Sequence, residues 1–239
     1  MFFKNTHRCI LLLLFLAASL AAAPNLIVNG SFEQPNLTGN TTNEIFTPGS
    51  HGIDSWVVTG FGPSQVSVNR DTQMDGNLTF NAHTGDQSLN LTGASPGEAA
   101  GVRQVVQLVK GEEYKLTFWV GNQDNNSVNY PIDASAALLV DGQFIDIYTN
   151  GHNTHNEVNW REFSYTFTAT KINTSIEFQN ATLTFEHYVG LDTVDLQLIP
   201  QQVTAPEPAT LGLAGLALLL AGLRRLTRAA APPVYPKTR

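Results

Sequence analysis

Between Pro24 and Pro200 apolar residues recur at every second position, which is strand periodicity and not the three-to-four spacing of a helix. In Tyr114-Lys115-Leu116-Thr117-Phe118-Trp119-Val120 one set faces a core and the other faces away. Phe163–Thr168 and Val194–Leu198 repeat the pattern. Further strands are predicted at Leu26–Phe32, Trp56–Thr59, Val66–Val68, Ser88–Leu91, Val102–Leu108, Ala136–Val140, Phe144–Tyr148 and Thr174–Phe178. Turn clusters separate them, such as Thr47-Pro48-Gly49-Ser50, Ser95-Pro96-Gly97 and Lys110-Gly111. Asp141-Gly142 between two apolar runs predicts a two-residue hairpin, because both positions tolerate positive φ. Many short strands, each with one apolar side, must close on themselves or pack as two sheets. The expected fold of residues 24–200 is therefore all-β, a β-sandwich of jelly-roll type.

The two ends break this pattern. Residues 1–23 read as a signal peptide: Lys4 and Arg8 precede a short apolar run, and Ala21-Ala22-Ala23 supplies small residues for cleavage. At the other end a linker, 201–205, leads to Pro206-Glu207-Pro208, the uncharged run Ala209–Leu223, and then Arg224, Arg225 and Arg228. A helix over 209–226, with its arginines snorkelling, approaches the length needed to span a bilayer. The arginines follow the apolar run, which places the basic tail 229–239 in the cytoplasm and the large domain outside the inner membrane.

Taken together, Pro206-Glu207-Pro208, the Leu/Gly/Ala run 211–223 and the Arg224-Arg225 stop resemble the PEP-CTERM sorting signal, here 206–228. Such tails occur on exported proteins of Gram-negative bacteria that make extracellular polysaccharide. The resemblance implies processing by an exosortase, a membrane-embedded cysteine protease or transpeptidase, followed by release or transfer to the cell surface. Ala229–Arg239 continues past the basic stop, where the family usually ends.

A second resemblance covers the domain. Asn29-Gly30-Ser31-Phe32-Glu33, Ile53-Asp54-Ser55-Trp56, Gly85-Asp86-Gln87-Ser88-Leu89-Asn90-Leu91 and Gly190-Leu191-Asp192-Thr193-Val194 look like the galactose-binding-like β-sandwich superfamily. The nearest relatives implied are a plant cell-wall family of unknown function, its bacterial versions with PEP-CTERM tails, and carbohydrate-binding modules of jelly-roll type. In several such modules an early glutamate and a late aspartate hold a structural calcium. Glu33 and Asp192 stand at those motif positions, and carboxylates with turn carbonyls suit a hard cation.

Charge narrows the partners. Of the 239 residues only 14% are charged, below the usual share of about 25%. Residues 24–200 hold six Lys/Arg against nineteen Asp/Glu, a net charge of −13. A domain so acidic lacks the basic patch that phosphate neutralisation needs, so nucleic acid is excluded as a partner. The single cysteine, Cys9, lies in the signal, and the mature chain forms no disulfide.

The remaining chemistry is sparse. Trp119 lies opposite the core set of its strand, followed by Asn122, Gln123 and Asp124; an aromatic plane beside amides and a carboxylate is the expected glycan platform. Packing beneath a loop is the competing role for that tryptophan. Trp56 and Trp160 are expected in the core. Asp71…Asp75-Gly76 lacks EF-hand spacing, and the loop His152–Glu157 lacks the His-Glu-x-x-His order of a metalloprotease. No nucleophile elbow, P-loop or dinucleotide fingerprint occurs, and no two carboxylates stand out as a glycosidase pair. The expectation is a non-enzymatic exported matrix or surface protein that binds extracellular polysaccharide. The alternatives are a secreted glycoside-active enzyme and a structural adhesion subunit without sugar binding.

Overall fold

The computed structural model describes residues 23–75, 78–93, 99–123, 133–151, 157–182 and 188–201, together with Leu216. The chain divides into two units, 1–199 and 200–239. The signal segment 1–22, the Pro206-Glu207-Pro208 motif and Arg224-Arg225 lie outside the described residues. Leu216 is helical and exposed. Among the described residues no helix is long and apolar enough to cross a membrane.

The first unit is built from strands. The early ones are β1 (Asn43–Phe46), β2 (Val57–Thr59), β3 (Val66–Arg70), β4 (Met74–Asp75), β5 (Leu78–Thr79) and β6 (Gln87–Asn90). They are followed by β7 (Gly101–Gln107), β8 (Glu113–Gln123), β9 (Ala134–Val140) and β10 (Gln143–Asn150). The series ends with β11 (Val158–Thr168), β12 (Asn173–Asn180) and β13 (Gly190–Leu198). One six-stranded sheet runs β1-β3-β6-β13-β8-β11, and a five-stranded sheet runs β10-β9-β12-β7-β2. The paired strands are antiparallel throughout both sheets. The domain is thus an all-β two-sheet sandwich.

Alternation explains which side chains meet between the sheets. Tyr114, Leu116, Phe118 and Val120 of β8 point inward, as do Val102 and Val106 of β7 and Ile176 and Phe178 of β12. Phe118 stands edge-on to Phe178 across the sheets, with ring centroids 4.8 Å apart, and to Tyr148 of β10 at 5.0 Å. Edge-to-face pairs of this kind add about 0.5–1.5 kcal/mol beyond area burial. Asp141 and Gly142 take φ of 54° and 75°, so the hairpin between β9 and β10 turns as its sequence predicts.

Two sequence expectations are corrected. Leu26–Phe32 is not a strand: Asn29 and Phe32 have φ of 53° and 56°, and the segment bends. Its apolar alternation reflects Ile27 and Phe32 entering the core from a loop. Asn25 clips that loop to β13: its Nδ2 donates to the Val194 carbonyl, and its Oδ1 accepts from the amides of Ile27 and Leu196. Trp160 is not in the core between the sheets. It packs on the outer face of the six-stranded sheet, against Phe80, Val158 and Tyr188. Gly121 and Gly190 leave room for its ring there; a Cβ on Gly190 would stand 2.7 Å from Trp160 Cη2.

Candidate functional site

The outer face of the six-stranded sheet is covered at one end by the segment 81–87, and acidic side chains hold that cover in place. Asp71 Oδ1 accepts the Ala82 amide at 2.6 Å. Glu33 Oε1 accepts the amides of Asp86 and Gln87 at 3.0 and 3.1 Å. Asp192 Oδ2 accepts those of His83 and Thr84 at 2.8 and 3.0 Å, and its Oδ1 accepts the Thr193 amide at 2.6 Å. Asp192 is completely buried because β13 lies in the middle of its sheet, between β6 and β8. Burial pushes its carboxyl up to about 7; the three amide bonds pull the other way, and the charge of Glu33 adds to the rise. Burial also raises Glu33, opposed by its two amide bonds and reinforced by Asp86 and Asp71.

Glu33 and Asp192 are therefore brought together, braced against one segment and close enough to repel. The charge of Glu33 raises the proton affinity of Asp192, and Glu33 Oε2, used by neither amide bond, is the oxygen left to offer a hard cation. Among the described residues no group of three or more His, Cys, Asp or Glu gathers around a metal position.

The same segment places a ring on Trp119. His83 stacks on its indole with centroids 3.8 Å apart and planes inclined by 19°. The His83 Nδ1 lies 2.8 Å from Thr193 Oγ1, and Thr84 Oγ1 lies 2.7 Å from the same hydroxyl. Burial lowers the imidazole, with Glu162 opposing, which favours the neutral ring. Thr193 adopts φ of 50°, which is rare for a β-branched residue, at the bulge between Asp192 and Asp195. One face of Trp119 is thus occupied from within the protein. Asn122 and Gln123 are fully buried: the Asn122 amide donates to the Asn150 carbonyl at 2.7 Å, and the Gln123 amide to the Thr79 carbonyl at 3.2 Å. Each has a side-chain carbonyl oxygen without a partner. Asp124 and residues 152–156 lie outside the described residues.

The opposite face of the sandwich carries a feature the sequence reading missed. A groove of about 360 Å³ opens on the five-stranded sheet, lined by residues that include Pro48, Thr59, Phe61, Arg103, Glu177 and Gln179. Phe61 stands at its mouth and is 91% exposed. Glu177, on the central strand β12, is only 7% exposed, and its Oε1 accepts the Gln179 amide at 2.8 Å. Arg103 of β7 lies directly across from Glu177. The Thr59 hydroxyl beside them is buried and unpartnered. An aromatic ring, a carboxylate, a guanidinium and an amide thus converge on one open depression, the donor-and-acceptor set that hydroxyl-rich ligands need. The signal available in the sequence was Gly60-Phe61-Gly62-Pro63, an aromatic in a turn too small to bury it.

Residues 25–195 match the family described as "Protein of unknown function (DUF642)". The chain belongs to that family. No curated protein matches it. Among solved structures, the DUF642 chain is similar to TmCBM61 in complex with beta-1,4-galactotriose, at 17% identity and TM-score 0.45, over 75% of this chain and 100% of that one. It is likewise similar to the CBM22-1 xylan-binding domain from Paenibacillus barcinonensis Xyn10C, at 16% identity and TM-score 0.44, over 77% and 99%. A third likeness, to the enzymatically active domain of tailspike protein 4 from bacteriophage CBA120, has 18% identity and TM-score 0.44; it covers 73% of this chain and only 21% of that one.

Proposed function

We propose that this DUF642 domain is a non-enzymatic glycan-binding module on an exported protein. The observation that carries the reading is Phe61, a solvent-open ring at the mouth of a groove floored by Arg103, Glu177 and Gln179. Sugar rings present an apolar face to an aromatic and hydroxyls to amides and charged groups, and the groove offers both. Glu177 is the one carboxylate among the described residues lining the groove, whereas most glycoside hydrolases work with a pair about 5–10 Å apart. The test is a glycan array and affinity electrophoresis with the full chain and with Phe61→Ala. Binding to neutral polysaccharide that Phe61→Ala removes supports the reading, and binding to none overturns it. Trp119→Ala forms the second arm, since Trp119 with Asn122, Gln123 and Asp124 is the platform expected from the sequence.

The ends of the chain complete the proposal. The PEP-CTERM resemblance of Pro206-Glu207-Pro208 and Arg224-Arg225 supports an inner-membrane precursor that an exosortase cuts, delivering the module to the surface or matrix of a Gram-negative bacterium. External protease on intact cells, with mass spectrometry of the mature C-terminus, tests it; an uncut tail and a protected domain refute it. A structural calcium belongs to the same reading. Glu33 and Asp192 would hold it and it would neutralise their mutual repulsion, a role separate from contact with glycan.

A further inference from the structure

We infer that the groove at Phe61 is one end of a trough that crosses the five-stranded sheet and takes an internal stretch of an uncharged polysaccharide chain. The inference rests on the glycan-binding reading and adds to it the length, charge and mode of the ligand. The strand register supplies the argument. Thr59, Gly101, Gln179, Ala137 and Ile147 stand side by side across all five strands on the outward face. Beside them runs a second row: Val57, Arg103, Glu177, Leu139 and Phe144.

Gly101 and Ala137 flank Gln179, so no long side chain projects from either position beside the central amide. Gly101 admits no side chain, because a Cβ there would stand 2.3 Å from the Phe178 carbonyl oxygen, with Thr59 Oγ1 and Gln179 Cγ at 2.8 and 2.9 Å around it. Apolar side chains rise where the trough ends. Phe61 lies beyond β2; Phe144, 62% exposed, and Ile147, 48% exposed, lie on β10 at the other edge. With neighbouring strands about 4.8 Å apart, the two edges are separated by roughly 19 Å, about four pyranose units of an extended chain. One sugar could use one of those rings; only a chain reaches both. β2 and β10 are edge strands, so a chain can leave the sheet on both sides.

Charge decides the class. The Pro24–Pro200 stretch carries −13, and the carboxylate of Glu177 sits in the middle of the floor. A polyuronate or sulfated glycan would approach against that field with Arg103 as its one cationic contact among the described residues lining the groove.

The experiment is calorimetric titration of the full chain with β-1,4-linked gluco-, xylo- and galacto-oligosaccharides of one to six units. It is run on wild type, Phe61→Ala and Phe144→Ala, with sedimentation velocity of each. The expected result is affinity rising at least about tenfold between two and four units and then levelling off. Phe144→Ala should weaken the four-unit ligand several-fold and leave the two-unit ligand unchanged, whereas Phe61→Ala weakens both. Both side chains are exposed, so neither variant threatens the fold. Affinity already level at one or two units, with Phe144→Ala equal to wild type, overturns the trough and leaves glycan binding at Phe61 standing. A dimer that Phe144→Ala dissolves makes the face a self-association surface and overturns the inference. Tighter binding of polygalacturonate overturns its charge class. Absence of any binding overturns this inference and the glycan reading alike.

Discussion

Replacing Asp192 by alanine should destabilise the domain by an amount that depends on pH, more at pH 5 than at pH 8. The substitution leaves the amides of His83, Thr84 and Thr193 without their acceptor. Each buried donor so stranded costs about 1–3 kcal/mol, which sets the scale of the loss at high pH. At low pH a second term appears. In the folded protein the carboxyl is pushed up to about 7, against an ordinary value of 3.8 in the unfolded chain. A group whose pKa is raised by folding contributes stability that is complete below the unfolded value and disappears as pH climbs through the folded one. Between pH 5 and pH 8 the wild type should therefore lose about 3 kcal/mol from this residue, a loss the alanine variant cannot show. Glu33 and Asp195, both raised by burial, act in the same direction, whereas His83, lowered by burial, acts in the opposite one. Those contributions are shared by wild type and variant and cancel in the double difference. The assay is urea unfolding of both proteins at the two pH values without divalent cation, followed by tryptophan fluorescence, to which Trp119 under His83 contributes. A double difference near zero, or one of the opposite sign, refutes the account of Asp192 as a buried carboxylate held by amides alone.

Other outcomes follow from the same contacts. Calcium should raise the thermal midpoint of wild type and leave Asp192→Ala unchanged, read by scanning calorimetry with calcium and with chelator; an equal shift in both removes the Glu33–Asp192 site. Gly190→Ala should cost about 1–3 kcal/mol in urea unfolding, because its Cβ would meet Trp160 and the Tyr188 hydroxyl at 2.7 and 2.8 Å. Asn25→Ala should cost about 2–3 kcal/mol, since it removes three hydrogen bonds, two to β13 and one to Ile27 within the N-terminal segment, and hydrogen exchange at Ile27 and Leu196 should rise.

The parts of this fold that were legible are those in which alternation and burial coincide. β8 and β12 bury one set of residues and turn the other outward, and Asp141-Gly142 needed only its local φ preference to be read as a turn. Leu26–Phe32 carries the same alternation and is not a strand, because residues can reach the core from a loop once Asn25 supplies the hydrogen bonds that a ladder would have given. β1, with the sequence Asn43-Glu44-Ile45-Phe46, was illegible for the converse reason: an edge strand with one buried side chain leaves almost no pattern. Sequence motifs placed Glu33 and Asp192 together, although they stand far apart in the chain, but could not show that both would be engaged with amides of the 82–87 segment. Phe61 escaped notice because Gly60-Phe61-Gly62-Pro63 shows a ring that its own turn cannot bury but not which sheet face it stands beside.

The two outer faces of the sandwich explain why Trp119 and Phe61 have different surroundings despite similar chemistry. Both are aromatic side chains turned away from the main core. Trp119 lies beside Asp192 in the register of β8 and β13, and Asp192 draws the backbone of His83 and Thr84 down onto that face. The imidazole then lands on the indole, and the six-stranded sheet is closed at that end by its own chain. On the five-stranded sheet the position corresponding to such an anchor is Glu177, whose Oε1 accepts from Gln179 on its own strand, and among the described residues it holds no loop across the sheet. Among the described residues Phe61 and Phe144 stand exposed toward the two edges of that face. A buried carboxylate that binds amides builds a covered face, and one paired along its own strand leaves a face available to a ligand. Both are carboxyl groups on central strands, and their neighbours in the register decide which face the protein offers to solvent.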